Sequence, residues 1–396
     1  MKRLREKYLR LLASVNYPKH RFLLDKINSG DRLIIIKGQR GTGKTTLLLQ
    51  YIKSHFADTE QTLYVSLDDL YFSANTLSDL ADEFVKDDGK YMFIDEVHRY
   101  KNWAREIKNI YDFYPDLKLM ITGSSALDFY MNISDLGRRS AVYTLPELSF
   151  REHLNLLHNF DFEPVQFEEI IKVHEKIALK INSRIKILKY FRQYLMKGAY
   201  PFVSENQENY FDRIEAVINT VIDNDITTIE NISYESRIKL KKLLIMLAGS
   251  SPFKINMSEL ARKIETTRDV LYKFLYLLSQ SGIIRFLSTE GTGHTIIRKP
   301  DKIYFSNPNL LYALSENVNI GTVRETFFLN QVSYVKNVKY PKRGDFLVDG
   351  RYTIETGGKN KTQKQIAGIK DSFLVLDDIE YGGKNVIPLW MFGFLY

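Results

Sequence analysis

A glycine-rich segment between an apolar run and an amphipathic stretch is the strongest constraint on the fold of this chain. The run Leu33–Lys37 has the length and composition of a buried strand, and Thr45–Ile52 has the apolar spacing of a helix. Glycines at such a turn let successive backbone N–H groups point at one anion, beside the positive end of the helix. The segment therefore predicts a phosphate-binding loop in an α/β domain. Its eight residues fit G-x-x-x-x-G-K-[ST] without a mismatch: Gly38-Gln39-Arg40-Gly41-Thr42-Gly43-Lys44-Thr45.

Each polar residue of this loop has a predicted role. Lys44 is expected to reach the β- and γ-phosphates of a nucleotide, and the hydroxyl of Thr45 is expected to bind Mg²⁺. The remaining predicted nucleotide contacts are Gly38, Gln39, Arg40, Gly41, Thr42, Gly43 and Thr46.

Two acids follow a second apolar run, Tyr91–Asp95. Asp95, at the carboxyl end of the predicted strand, is expected to hold Mg²⁺ through water beside Thr45. Glu96 is then placed to orient or deprotonate the attacking water, which would distinguish a hydrolase from a protein that only binds nucleotide.

Further polar residues follow the strand Leu117–Thr122. If this strand neighbours the other two, Thr122, with Ser124 as second choice, lies beside the γ-phosphate. Arg138 is a candidate to neutralise charge on the transferred phosphoryl group, either in its own chain or from a neighbouring subunit. The alternative is that Arg138 and Arg139 are an ordinary surface pair at a helix end.

The length of the chain indicates more than one domain, because 396 residues are more than one ordinary hydrophobic core accommodates. From about residue 32 to 145, apolar runs alternate with amphipathic stretches, which predicts a parallel sheet with helices on both faces. The pattern is helical from Phe150 to about Gln280 and β-like after Ser281. The predicted strands of the first part are Leu33–Lys37, Leu63–Leu67, Tyr91–Asp95, Leu117–Thr122 and Val142–Leu145.

The sequence resembles prokaryotic AAA-superfamily P-loop ATPases that carry a winged helix and then a C-terminal, restriction-endonuclease-like domain of unknown function. The resemblance implies ATP and Mg²⁺ as cofactors, and it implies that Pro201 contacts the adenine. Related ATPases often have Gly-Gly where this chain has Gly198-Ala199. Besides the loop, the matching segments are Ile94–Glu96, Ile121–Ser125, Leu136–Arg138, Leu145–Phe150 and Lys197–Pro201.

A helix-turn-helix pattern follows in Ser258–Ile264 and Thr267–Leu275, and the runs Ile283–Leu287 and Lys302–Phe305 would supply the strands of a winged helix, with a wing at Gly291–Gly293. The module either binds double-stranded DNA or acts as a lid or protein-docking element. The residues expected to face DNA are Thr267, Arg268 and Lys273 in the groove, with Arg298 and Lys299 near phosphates. We therefore expect an ATPase domain over residues 1–200, a helical lid and winged helix over 201–315, and a small α/β domain over 316–396.

A second candidate site lies in the last of these domains. Glu325, Asp345 and Glu355, with Lys359 nearby, resemble the metal-binding acids and lysine of a restriction-endonuclease-like fold. Gly357 occupies the expected lysine position, and Lys361 lies further on.

The hairpin around this site has two possible registers. A two-residue loop Asp349-Gly350 would pair Asp345 with Ile354 and point Glu355 to the opposite face. A three-residue loop Val348–Gly350 would pair Asp345 with Thr353 and place both acids on one face.

The charge of the chain indicates which class of partner it binds. Lys and Arg number 56 against 48 Asp and Glu, a net charge of +8, which favours a polyanionic partner. The basic residues concentrate in Lys2–Lys26, in the winged-helix candidate and in Lys336–Lys364. We expect Lys2–Lys26 to form a solvated helix beside the sheet.

Composition excludes several other classes of protein. With no cysteine, the chain has neither disulfides nor thiolate metal sites, so metal chemistry would need oxygen ligands and a hard ion. No apolar run approaches the ~20 residues of a membrane span, so we expect no membrane association and a cytoplasmic location.

These observations predict an AAA-type, Mg²⁺-dependent ATPase that couples its nucleotide state to DNA or to a protein partner. Two alternatives remain: a nucleotide-dependent interaction switch with slow hydrolysis, and an ATP-regulated, metal-dependent DNA nuclease. An oligomer is compatible with each.

Overall fold

The computed structural model describes residues 1–15, 18–124, 136–249, 256–289 and 300–396, with Thr228 and Ile229 as backbone only. The chain forms two compact units, Met1–Pro146 and Glu147–Tyr396. Within the described ranges, the helices are too short or too polar to cross a membrane.

The first unit is built on a parallel five-stranded sheet in the order β2-β3-β4-β1-β5, which confirms the predicted α/β fold. The strand β3 has the predicted bounds, and the others shift by one or two residues. The central strands are almost entirely buried, which is why they appear in the sequence as continuous apolar runs. The strands are β1 (Leu33–Gly38), β2 (Thr62–Ser66), β3 (Tyr91–Asp95), β4 (Lys118–Ser124) and β5 (Ala141–Thr144).

Helices cover this sheet and close its core. Trp103 and Ile107 are almost fully buried in one large cluster with strand residues of β1 to β4. The basic N-terminal helix buries Leu4 and Tyr8, and the Tyr8 hydroxyl lies 2.6 Å from Thr62 Oγ1 on β2. It therefore packs beside the sheet, as expected, but it ends at Ser14 and does not extend to Lys26. The helices are α1 (Lys2–Ser14), α2 (Lys44–His55), α3 (Leu77–Lys86) and α4 (Trp103–Phe113).

The second unit begins with helices and ends with a mixed sheet. The α5 helix starts at a capping box in which Ser149 and Glu152 bond each other's backbone N–H groups. A π-helical stretch, Val221–Asp225, joins α8 to α9. The helices are α5 (Phe150–His158), α6 (Phe167–Asn182), α7 (Ile187–Lys197), α8 (Tyr210–Thr220), α9 (Ile226–Ile229), α10 (Tyr234–Ala248), α11 (Met257–Lys263), α12 (Arg268–Gln280), α13 (Pro308–Leu314) and α14 (Ile320–Val332).

Two sheets belong to this unit. The strands β6 and β7 pair antiparallel, directly after α12. The C-terminal sheet has the order β12-β11-β10-β9-β8, with β10, β11 and β12 parallel and the other pairs antiparallel. The strands are β6 (Ile284–Leu287), β7 (Lys302–Phe305), β8 (Val338–Lys339), β9 (Phe346–Val348), β10 (Tyr352–Gly357), β11 (Ser372–Leu376) and β12 (Val386–Pro388).

The division after Pro146 differs from the boundary expected at residue 200. Phe150 on α5 packs against Phe191 on α7 and against Phe394, with ring centres 5.2 and 5.8 Å apart. Phe191 in turn contacts Phe327 on α14 at 4.9 Å. Residues 147–200 thus share one aromatic core with the C-terminal part of the chain, and the change to helical pattern at Phe150 marks the boundary. The units likewise do not separate at residue 315.

A buried asparagine holds the centre of the second unit. Asn309, fully buried at the start of α13, accepts hydrogen bonds from the backbone N–H groups of Gly198 (2.9 Å) and Ala199 (2.7 Å) and from the Tyr210 hydroxyl (2.5 Å). Its amide group donates to the carbonyl oxygens of Tyr194 and Leu195. One side chain therefore satisfies polar groups from three separate segments.

Replacing Asn309 should be costly. In Asn309→Leu, three buried donors lose their acceptor, and each unsatisfied buried group costs about 1–3 kcal/mol. We expect the variant to lose at least about 3 kcal/mol in urea unfolding followed by circular dichroism. The control is Asn206→Leu, because Asn206 is only half-buried and its side chain accepts from two exposed backbone N–H groups, those of Glu208 and Asn209. Equal losses in the two variants would contradict this role of Asn309.

Candidate nucleotide-binding site

The phosphate-binding loop joins β1 to α2 in the predicted place. Gly41 and Gly43 have φ values of 84° and 90°, in the left-handed region where glycine alone carries no steric cost. At Gly38 a Cβ atom would lie 2.4 Å from the carbonyl oxygen of Leu145, closer than real contacts allow. The three glycines of the motif are therefore required by backbone geometry before any ligand is considered.

Side chains of the loop residues stabilise its curled backbone. Lys44 is only 5% exposed, and its ammonium group donates to the carbonyl oxygens of Gly38 (3.0 Å) and Gln39 (2.9 Å). The Thr42 hydroxyl donates to the same Gln39 oxygen at 2.9 Å. The predicted lysine therefore lies inside the loop, where phosphate oxygens are expected.

Asp95 is the centre of the site. Its buried carboxylate accepts from the hydroxyls of Thr45 (2.5 Å) and Tyr64 (2.9 Å), and also from the Thr122 hydroxyl. The backbone N–H of Glu96 donates to it at 3.1 Å. The structure thus brings together Thr45, Asp95 and Thr122, which lie far apart in the sequence, because the carboxyl ends of parallel strands share one edge of the sheet.

The donor set at this edge fits Mg²⁺. A hydroxyl oxygen and a carboxylate oxygen are the hard ligands that this ion takes, and Mg²⁺ in nucleotide sites is held by one or two protein groups, phosphates and waters. Within the described ranges, no larger group of Asp, Glu, His or Cys is placed to hold a metal ion.

Glu96 lies beside two basic side chains. Its Oε2 atom is 3.8 Å from Arg40 Nη2 and 3.5 Å from His98 Nε2. Its own backbone takes the left-handed conformation, with φ 54°. The Glu96 carboxylate, which the sequence predicts to act on water, is therefore held next to the loop, at the end of β3.

His98 is a residue that sequence reasoning missed. Its Nδ1 atom accepts from the backbone N–H of Ser124 at 3.3 Å, which places the ring proton on Nε2, toward Glu96. Burial, with the charges of Lys44, Arg40 and Arg99, lowers the pKa of His98 to about 3. The ring is therefore neutral at physiological pH. Its position two residues after Glu96 was the only available signal.

Tyr64 was missed as well, because an aromatic residue within a strand gives no sequence signal of a polar role. Burial raises the pKa of Tyr64, and the neighbouring Asp95 carboxylate adds to the shift. The hydroxyl therefore keeps its proton and acts as a donor to Asp95.

The remaining predicted residues have simpler surroundings. Thr46 lies on the first turn of α2 and is half-buried. Arg138 is exposed, and no side chain in the described part of the chain pairs with it, whereas Arg139 pairs with Asp112 at 3.0 Å. Pro201 begins a short 3-10 helix in the second unit, and its role as an adenine contact stays a prediction.

The C-terminal acids come together, but lysines neutralise them. Lys302 Nζ lies 2.9 Å from Glu325 and 3.6 Å from Asp345, and the Tyr304 hydroxyl donates to Glu325 at 2.6 Å. Burial raises the pKa of Glu325, and the charge of Asp345 adds to this shift. Lys302, which sequence reasoning placed in a strand of the winged helix, is the main partner of this acid pair.

Glu355 pairs with Lys361 at 2.7 Å, and Lys359 is exposed. Burial raises the pKa of Glu355, as does the charge of Asp345. The predicted lysine is therefore two residues away from the one that contacts the acid.

The hairpin has neither of the two expected registers. Phe346 pairs with Ile354, and Val348 pairs with Tyr352, so the loop is residues 349–351. Asp349 and Gly350 both have positive φ, as a tight turn requires, and Arg351 is the extra residue before β10. Asp345 consequently lies near the backbone of Thr356, whose N–H and hydroxyl both donate to its carboxylate at 2.9 Å.

Three of the predicted DNA-contacting residues lie on or next to α12. Thr267 caps this helix through its hydroxyl. Arg268 donates to the Ser258 hydroxyl, and Lys273 pairs with Glu230 at 2.7 Å. Arg298, Lys299 and the wing at Gly291–Gly293 lie outside the described residues.

Comparison with known proteins assigns the first unit. Residues 30–154, which contain β1 to β5 and the phosphate-binding loop, match the model of an AAA domain. Residues 188–320 match a domain of unknown function, DUF8612. The first unit therefore has the P-loop NTPase fold that the loop predicts, and residues 30–154 are similar to AAA domains.

Two proteins of Methanocaldococcus jannaschii are similar over most of their length. The uncharacterized protein MJ1637 is 27% identical, over 97% of this chain and 91% of its own. The uncharacterized protein MJ1544 is 24% identical, over 81% and 71%. Among solved structures, AMPPCP-bound DnaA from Aquifex aeolicus is 13% identical over 65% of this chain and 84% of its own, with a TM-score of 0.28. A TM-score this low adds nothing to the fold assignment, which rests on the sheet topology and the domain match.

Removing the lysine of the C-terminal acid pair should destabilise the second unit. In Lys302→Met, Glu325 and Asp345 face each other in a largely buried position, and breaking such a pair costs about 3–5 kcal/mol. We expect that loss in urea unfolding, with recovery of part of it in Lys302→Met/Glu325→Gln. Lys342→Met, at an exposed position, is the control. Unchanged stability in Lys302→Met would refute the ion-pair assignment.

Proposed function

We propose that this protein is a Mg²⁺-dependent ATPase that hydrolyses ATP at the loop Gly38–Thr45. The observation that carries the proposal is the cluster in which the Asp95 carboxylate accepts from Thr45 and Thr122, with Glu96 next in the chain. These are the groups that nucleotide hydrolysis requires: a metal-holding pair, a polar residue near the γ-phosphate and an acid for water.

The chain's own residues divide the chemistry among them. The loop N–H groups and Lys44 offset negative charge on the β- and γ-phosphates, which increases as the phosphate bond breaks. Thr45 and Asp95 would hold Mg²⁺, which supplies further charge neutralisation when bound. Glu96 orients the attacking water and accepts its proton. Arg138 is exposed and would help to neutralise the charge on the phosphoryl group, either in its own chain or in a second copy.

Adenine as the base, and Pro201 as its contact, belong to this proposal through the resemblance to AAA-type ATPases. The match of residues 30–154 to an AAA domain supports it.

Two substitutions separate binding from hydrolysis. Glu96→Gln should keep nucleotide affinity and lose at least about 100-fold in kcat, because the amide cannot accept the proton. Lys44→Ala should lose both, because the phosphates lose their main cation. Phosphate release and the fluorescence of a labelled ATP analogue report the two quantities. Glu60→Gln, a change at an exposed acid, should match the unaltered protein. Wild-type turnover in Glu96→Gln would contradict the role of Glu96.

We further propose that the nucleotide state is coupled to a macromolecular partner, with double-stranded DNA as the first candidate. The net charge of +8 supports this proposal, as does the order of α11, α12 and the β6-β7 pair, which is the order expected for a winged helix. Arg268 is exposed at the start of α12 and already bonds one hydroxyl, which leaves donors for a phosphate. If DNA does not bind, a nucleotide-dependent switch for a protein partner is the alternative.

A charge reversal tests the DNA partner. Arg268→Glu should weaken the binding of a labelled duplex about tenfold and reduce its salt dependence, because a phosphate contact is lost. Lys108→Glu, an exposed change of equal charge in the first unit, should have little effect. Gel-shift titrations at ~50 mM and 200 mM salt, with and without ATP, give both quantities. Absence of binding by the wild-type protein at the lower salt would rule out the DNA partner.

The nuclease alternative is not proposed, because the acids of the C-terminal sheet are neutralised by Lys302 and Lys361. The restriction-endonuclease-like label for this region stays a prediction from the resemblance.

A further inference from the structure

The segment that precedes β1 is bonded along the phosphate-loop helix. We call this segment the connector, meaning the described residues between Val15 and Ile27. Lys53 of α2 donates to the carbonyl oxygen of Val15 at 2.6 Å, and Gln50 donates to that of Lys19 at 3.1 Å. The connector thus runs from the C-terminal half of α2 toward its start, where the loop lies.

Arg21 is the point at which the connector reaches the loop. The residue is only 5% exposed, although the sequence places it in the basic stretch Lys2–Lys26. Nη1 donates to the carbonyl oxygen of Thr42 at 2.6 Å, and Nη2 donates to that of Pro146 at 2.8 Å. This positive charge is therefore bound to backbone within the first unit and is not part of a surface that could meet a polyanion.

The bond to Thr42 fixes one peptide plane of the loop. In a planar trans peptide, the carbonyl oxygen of one residue and the N–H of the next point in opposite directions. With the Thr42 oxygen turned toward Arg21, the N–H of Gly43 points away from the connector. The left-handed conformation of Gly43, with φ 90°, continues the turn into α2.

The second bond of Arg21 ties the loop to the end of β5. Leu145 N–H donates to the Lys37 oxygen at 2.7 Å, and the Gly38 backbone packs on the Leu145 oxygen. Gly38, at the start of the loop, is thus held against Leu145. Thr42, near the end of the loop, is linked through Arg21 to Pro146, the residue after Leu145. A planar guanidinium group can make both bonds at once, whereas an ammonium group on a lysine stem has no such fixed fork.

We infer that Arg21 is a positioning residue for nucleotide binding: it orients the Thr42–Gly43 peptide so that the Gly43 N–H faces the phosphates. This inference rests on the proposed function, because it assumes that the loop binds a nucleotide. Arg21 itself does not touch the nucleotide in this scheme. It acts through the backbone that does.

A second arginine, which is half-buried, provides a control. Arg32, just before β1, also donates to two backbone carbonyl oxygens, those of Tyr111 (2.8 Å) and Tyr114 (3.1 Å), and its guanidinium group lies over the Tyr111 ring. It stabilises the amino-terminal end of the sheet, opposite to the loop. A general loss of packing should therefore appear in variants of both arginines, whereas a loss of loop geometry should appear only in variants of Arg21.

The experiment compares Arg21→Met, Arg21→Lys and Arg32→Met in the full chain. Affinity for a fluorescent ATP analogue, kcat for ATP hydrolysis and melting temperature are measured for each. We expect Arg21→Met to weaken nucleotide affinity about 10- to 100-fold, the value of one charge-assisted hydrogen bond. Arg21→Lys should lie between that variant and the wild type. Arg32→Met should lower the melting temperature and leave the affinity of the folded protein unchanged.

Chemical rescue separates positioning from folding. Guanidinium ion at millimolar concentration, far below denaturing levels, should restore part of the affinity of Arg21→Ala and none of that of Lys44→Ala. If Arg21→Met binds nucleotide as tightly as the wild type, or if Arg21 and Arg32 variants lose affinity equally, the inference is wrong. If Arg21→Met does not fold, Arg21→Lys decides the question, and wild-type affinity in that variant with no rescue of Arg21→Ala refutes the inference. Failure of the wild-type protein to bind the analogue would instead contradict the proposed function.

Discussion

The buried carboxylate of Asp95 joins the elements of the first unit at one point. It accepts hydrogen bonds from Thr45 on α2, from Thr122 on β4 and from Tyr64 on β2, while Asp95 itself ends β3. A carboxyl group with 2% exposure is tolerated only when its polar atoms are hydrogen-bonded, so each of these partners contributes to stability. The geometry of the nucleotide site is therefore set by the same bonds that hold the edge of the sheet together.

The second unit uses neutral polar groups for a comparable purpose. Asn309 binds the Gly198–Ala199 backbone, and Asn307 bonds both Glu147 (3.0 Å) and the Tyr200 hydroxyl (3.1 Å). These residues lie in or beside the segments Leu145–Phe150 and Lys197–Pro201, on which the resemblance to AAA-type ATPases partly depends. Within the described structure their bonds form a buried polar core. Part of the family-like pattern thus has a structural explanation independent of any ligand.

Predictions from the sequence succeeded where the interaction is local. The strand β3, the loop and the start of α2 are specified within short windows, because apolar runs and glycine conformations depend on near neighbours. Failures came where distant residues meet. Tyr64 and His98 reach the site through contacts with residues 31 and 26 positions away in the sequence. Arg21 reaches Thr42 of the loop across 21 positions. The compact units divide after Pro146 rather than at residue 200 for the same reason, since an aromatic core joins Phe150 to Phe394.

The sequence by itself determined that this chain contains a phosphate-binding loop followed by a helix and a parallel α/β domain around it, and that it has no thiolate metal sites. Each of these follows from residue type and spacing along a few positions. Only the tertiary structure decided that Tyr64 and His98 join the acids near the loop, that lysines pair with the C-terminal acids, and that Arg21 is buried against backbone. Those outcomes depend on the order of the strands in the sheet and on the register of the hairpin, which bring together residues far apart in the sequence.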